Sequence, residues 1–149
     1  MTKLTLYAAC QAFVMQRMAA ARTAMLAAQE SSNSETKSSA GDKYETGREM
    51  ANQERDRNAA QLQQAQQLQT ELARINPDVP CDAVRPGALV HTSLGGFYIG
   101  ISAGKLELGG EADVFAVSAA APVALALKGL RAGAEVVFNG KLVRVTAVE

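Results

Sequence analysis

The stretch Gly41-Asp42-Lys43-Tyr44-Glu45 holds the best candidates for chemistry in the chain. Asp42 and Glu45 place two carboxylates three residues apart, where the apolar residues on either side run out. The same spacing has a second reading. Asp42 with Glu45, and Thr46 with Glu49, both match the helix-start pattern in which side chains cap backbone N–H groups. A capping Asp42 turns inward to the helix start, whereas an active pair presents its oxygens outward. Both readings stand at the level of the residues alone.

Other reactive groups are few. Cys10 and Cys81 are far apart and match no metal-ligand spacing, so they read as two free thiols of a reducing cytosol. His91 is the single histidine and reads as a strand residue. One histidine excludes a Cys-His-His condensing site, and a Ser-His-Asp triad would have to use His91. Lys+Arg and Asp+Glu both number 15, which argues against a globally basic nucleic-acid binder. With no Trp and 5% aromatic residues, a base-stacking platform is not supported either. No stretch is long and apolar enough to span a membrane. Lys3 precedes a short apolar run, but Gln11 and Gln16 interrupt it and its helical pattern continues past Arg17 and Arg22. It reads as a helix rather than a secretion signal, and the expected location is cytoplasmic.

The carboxylates need an element to carry them, and the apolar spacing supplies it. Tyr7, Gln11, Val14, Met18, Ala21, Met25 and Ala28 alternate spacings of four and three. Ala51, Arg55, Asn58, Leu62, Ala65, Gln69 and Leu72 do the same after the tip, and Ile75 follows three residues on. Such spacing keeps one seam against a partner helix. Pairing Tyr7 with Ile75 and Val14 with Leu68 gives both pairs the same midpoint, Gly41. The pattern predicts an antiparallel coiled-coil hairpin over residues 1–76, with its tip at residues 38–47. Arms of about 30 residues would reach roughly 45 Å. Ser31-Ser32-Asn33-Ser34 weakens the first helix locally, but the pairing requires it to continue towards Lys37. A self-paired hairpin predicts a monomer.

Asn76-Pro77-Asp78-Val79-Pro80 stops the second helix, since proline cannot continue it. A linker is expected at residues 77–86. From residue 87 to 149 short β-branched runs alternate with glycine pairs. Strands are expected at residues 88–92, 97–102, 105–108, 114–118, 135–138 and 141–148. Gly95-Gly96 and Gly109-Gly110 read as turns, and Asn139-Gly140 as a two-residue hairpin loop. One short helix is expected from Ala121-Pro122 to a stop at Gly129. The fold class is α+β: a helical hairpin followed by a small, mainly antiparallel sheet with one helix.

This layout resembles the Gre family of bacterial transcript cleavage factors, which joins an antiparallel coiled coil to an FKBP-like domain. The tip is similar to the family's Gly-Asp-x-x-Glu motif. The second match runs through Phe115-Ala116-Val117-Ser118, Ala121-Pro122-Val123, Leu127-Lys128-Gly129-Leu130, Gly133 and Glu135-Val136-Val137-Phe138. The resemblance implies a factor that binds RNA polymerase and inserts its coiled coil into the secondary channel. Asp42 and Glu45 would then assist cleavage of backtracked RNA by helping to hold a polymerase Mg²⁺ near the nascent RNA 3′ end. It also implies partner contacts at Lys43, Tyr44, Ser118, Pro122 and Gly129. No cofactor and no metal of the chain's own are expected, because two carboxylates make too few ligands for Mg²⁺. There are departures: Thr46 where the family often has Asn, then Gly47, Arg48 and Glu49, and Leu130-Arg131-Ala132-Gly133-Ala134 where its turn ends in Gly-Asp. Three alternatives remain: a secondary-channel regulator without cleavage, a peptidyl-prolyl isomerase on the FKBP-like fold, and a coiled-coil adaptor.

Overall fold

The computed structural model describes residues 2–36, 41–108 and 113–149, with the backbone alone at 32, 34–36 and 41–45. Two long helices, α1 (Lys3–Thr36) and α2 (Gly41–Ala73), form an N-terminal helical hairpin. The chain divides into two compact units, one of Val14–Gln69 and one of Met1–Phe13 with Thr70–Glu149.

In the unit Val14–Gln69 the predicted seam is the buried one. Val14, Ala21 and Ala28 of α1 and Ala51 and Ala65 of α2 are all buried. Small alanines allow close helix approach, and Met18, Met25 and Leu62 fill beside them, half-buried. Across the hairpin, Arg55 Nη1 donates to Gln29 Oε1 at 2.8 Å. The serine-rich stretch does not end α1, which runs on to Thr36. One expectation is corrected. Asp42 and Thr46 both have helical backbone, so neither is the residue before the helix, whose backbone must be non-helical. Residues 38–40 of the expected tip lie outside the described residues.

In the other unit six strands pair in the order β3-β4-β2-β1-β6-β5. They are β1 (Leu89–Thr92), β2 (Gly95–Gly100), β3 (Gly104–Leu106), β4 (Val114–Ser118), β5 (Glu135–Phe138) and β6 (Lys141–Val148). All neighbours are antiparallel except β2 and β4, which run parallel from Gly96 opposite Val114 to Gly100 opposite Ser118. Gly95-Gly96 is not the turn. Both residues pair with β1, and the loop is Ser93-Leu94, where the Thr92 hydroxyl donates to the Gly95 carbonyl at 2.8 Å. Glycine is needed at 95 because its φ is +119°. Asn139 and Gly140 both have positive φ, as a tight hairpin between twisted strands requires. Gly109-Gly110 lies outside the described residues. Helix α3 (Pro122–Leu127) follows β4.

The central strands are buried on both faces. Phe97 and Ile99 of β2 lie with Val90, Val143 and Val145 against Ala124 and Leu127 of α3. Tyr98 and Leu89, paired side by side, occupy the opposite face and are almost wholly buried. Gly87 and Gly100 meet Ile75 there, which stands about where their side chains would go. Cys10 and Tyr7 are electrostatic neighbours of Tyr98 on this side. Leu6 and Cys10 are fully buried while Gln11 is exposed, so the apolar face of α1 shifts towards the sheet within residues 1–13.

Two stability experiments follow. Ile99→Ala should cost about 3 kcal/mol by chemical denaturation, as for other buried aliphatic truncations. Leu142→Ala, at a position 63% exposed, should stay within about 0.5 kcal/mol. The Tyr98 hydroxyl is buried and has no hydrogen-bond partner among the described residues. Tyr98→Phe removes an unsatisfied group without opening a cavity, so its melting temperature should equal or exceed that of the parent chain.

Candidate functional site

The helical backbone of α2 carries Asp42, Lys43, Tyr44 and Glu45. Positions 42 and 45, three apart on a helix, share one face. The side chains of these four residues lie outside the described residues. Among the described residues, no group of three His, Cys, Asp or Glu could hold a metal ion. No helix there is long and apolar enough to cross a membrane.

Ser118, Pro122 and Gly129 belong to the other unit. Ser118 ends β4 half-buried, opposite Gly100, and its carbonyl accepts from Ala121 N–H at 3.1 Å. Pro122 opens α3, where its missing N–H costs no helical bond, and it is exposed. Gly129 lies just past the helix with φ +79°, and its N–H bonds the Val84 carbonyl at 2.9 Å. The fold thus brings Ser118 and Pro122 together at the start of α3 and sets Gly129 beyond its end. The isomerase alternative requires an aromatic pocket, but Phe97, Tyr98 and Phe138 serve the core, and Phe115 is 37% exposed. Phe97 and Phe138 pack on that core, Tyr98 is fully buried, and Phe115 tilts against Phe97 with ring centres 6.2 Å apart.

The structure also assembles a cluster that spacing along the chain does not reveal. Arg85 Nε donates to Cys81 Sγ at 3.2 Å, and Lys3 Nζ approaches the same sulfur at 3.7 Å. Both cations also hold the chain around it, Lys3 through the Val79 carbonyl at 2.6 Å and Arg85 through the Pro80 carbonyl at 3.1 Å. The hydrogen bond to Cys81, then its charge, raises the pKa of Arg85. Cys81 is itself buried, 7% exposed and packed with Val84 and Ala88. Cys10 is wholly buried, and desolvation pushes its thiol up to about 11. Burial likewise raises the Tyr98 phenol. Both cysteines are free, as expected. Only the four-residue step from Cys81 to Arg85 could have been noticed in the sequence, since Lys3 arrives from 78 residues away.

Cys81 and Arg85 line a cleft of about 630 Å³ beside Arg74, Ile75 and Ser118. It opens at the carboxyl ends of the parallel pair, Gly100 of β2 and Ser118 of β4. Among the described residues, no aromatic side chain lines it.

No family model and no curated protein matches the chain. Among solved structures it is similar to the transcription factor Gfh1, at 20% identity over 91% of this chain and 90% of that one, with a TM-score of 0.35.

Proposed function

We propose that this chain is an accessory factor of bacterial RNA polymerase that stimulates cleavage of backtracked RNA. The observation that carries this is the Gly41-Asp42-Lys43-Tyr44-Glu45 motif at the start of α2 in a helical hairpin, followed in chain order by the sheet and the Ser118–Pro122 segment. In this reading the hairpin enters the polymerase secondary channel, and Lys43, Tyr44, Ser118, Pro122 and Gly129 contact the partner. Helices of 34 and 33 residues are each about 50 Å long, enough to carry a carboxylate pair deep into a channel.

Asp42 and Glu45 suit a shared Mg²⁺ site. They are hard oxygen donors on one helical face, and two of them fall short of the six ligands Mg²⁺ demands. The remaining ligands would come from the polymerase and from water. A second magnesium held there would supply activation of the attacking water and stabilisation of the leaving oxygen. The contribution of this chain is to bring two carboxylates to that point and hold them there. The catalyst is the polymerase; this chain is not itself the enzyme.

The non-cleaving regulator is a second reading, favoured by Thr46, Gly47, Arg48 and Glu49 where the family pattern differs. First-turn carboxylates also favour helix α2 itself through the positive end of its dipole. A backtracked elongation complex separates the two. The chain should accelerate RNA cutting, and Asp42→Asn with Glu45→Gln should lower that acceleration roughly 100-fold while leaving binding intact. Binding without cutting by the unaltered chain would select the regulator. Failure to bind polymerase at all would remove both.

A further inference from the structure

We propose that β5 is a pairing edge for a second copy of this chain, the two β5 strands running antiparallel with Val137 on the two-fold axis. The strand lies last in the sheet order, and β6 is its one neighbour. Antiparallel partners exchange hydrogen bonds at every second residue. Ala134 accepts from the Val145 N–H at 2.9 Å, and the tight Asn139-Gly140 loop closes on the pair Phe138 and Lys141. Residues 134, 136 and 138 therefore bond inwards to β6. The N–H and C=O groups of Glu135 and Val137 face outwards, and they meet no partner among the described residues.

The side chains of that edge invite a partner too. Val137 is 66% exposed, and Leu142, directly opposite it on β6, is 63% exposed. Among the described residues these are the two most exposed large apolar side chains of the sheet-bearing unit, and they form a stripe that runs to the open edge. The other end of the sheet is defended. There β3 has three residues, and its central Lys105 pairs with Asp113 at 3.2 Å. Short strands and charged residues keep an edge from joining other chains. β5 offers Val136, Val137 and Phe138, with no lysine and no proline.

Such an edge takes an extended strand, and its side chains select the chain's own. Centring a symmetric pair on Glu135 would set two carboxylates opposite one another, which is unfavourable. Centring it on Val136 would set each Glu135 against an apolar Val137. Centring it on Val137 aligns the free backbone groups of both copies and continues the stripe through Val137 and Leu142 of each, across four strands. On the opposite face Val136 of one copy meets Phe138 of the other, both half-buried against the core. The charges fit as well. Glu135 comes opposite Asn139, so the acidic end of each strand lies beside the turn that carries Lys141 of the other. Antiparallel pairing uses up both edges, so the assembly closes at two copies.

Sedimentation equilibrium of the full chain tests this. As concentration rises towards roughly 1 mM, twice the chain mass should replace the chain mass. Val137→Lys, which puts a guarding charge on the edge, should weaken association at least roughly tenfold, with circular dichroism unchanged. Leu125→Lys, on α3 and 58% exposed, should leave association unaltered. For the register, Val137→Cys should give a disulfide-linked dimer under mild oxidation, and Glu135→Cys should not, because only residue 137 faces itself. Cys10 and Cys81 are buried and present in both variants. Masses beyond two copies, a dimer indifferent to Val137→Lys, or cross-linking at 135 in preference to 137 would overturn the proposal. A single chain mass at every concentration would also overturn it, and would leave the edge to a strand of a different protein.

Discussion

Apolar side chains stand on both faces of the central strands, and this constrains the rest of the sheet-bearing unit. Neighbouring residues on β2, Tyr98 and Ile99, point in opposite directions and are both buried. A mainly antiparallel sheet can leave one face to water, but this one, with its parallel β2–β4 pair, is covered on both. The short helix α3 covers the Ile99 side through Ala124 and Leu127. Ile75, with Cys10 and Tyr7 near Tyr98, closes the other. The helix ends are therefore part of the core of the sheet, which is why residues 1–13 and 70–149 form a single compact unit.

That arrangement also explains the chemical contrast between the two thiols. Cys10 sits where apolar cover is continuous, and its sulfur is an inert space-filler. Cys81, itself buried, sits where the chain passes from α2 towards β1, a stretch broken by Pro77, Pro80 and Pro86 and held by side chains and by one isolated bridge between Ala83 and Arg131. Polar groups collect at such a joint because backbone carbonyls there need partners. Lys3 and Arg85 supply them at Val79 and Pro80 and reach the sulfur at the same time.

Much of this was legible in the sequence, for local reasons. The ends of β4, β5 and β6 coincide with the predicted strands because turn residues flank them and alternation is clean. The hairpin seam was legible because its period is dictated by helix geometry. Gln11 and Gln69 broke that pattern and are exposed; Leu6 and Cys10 replaced Gln11 because the sheet, unseen in a heptad count, buries a second face of α1. Gly95-Gly96 misled for a similar reason. Gly96 lies in a strand and keeps clear of Val114, whose Cγ2 would stand 3.1 Å from an added Cβ, and that neighbour comes from β4. The carboxylate pair was legible as a motif, whereas the Lys3–Cys81–Arg85 cluster depends on contacts that only the folded chain makes.

The position of β6 bears on how the chain reaches this state. It is the last strand in sequence, yet it lies between β1 and β5 rather than at an edge. Leu89 and Glu149 exchange two backbone hydrogen bonds, at 3.0 and 2.8 Å, across a separation of 60 residues. On a ribosome, the hairpin can form early from local contacts, but β1 and β5 must wait for β6 to emerge before they are joined. Until then β1 presents an unpaired edge, and such edges invite pairing with other chains. Synthesis therefore passes through an interval in which β1 has emerged without its β6 partner, and that edge stays open until β6 pairs with it.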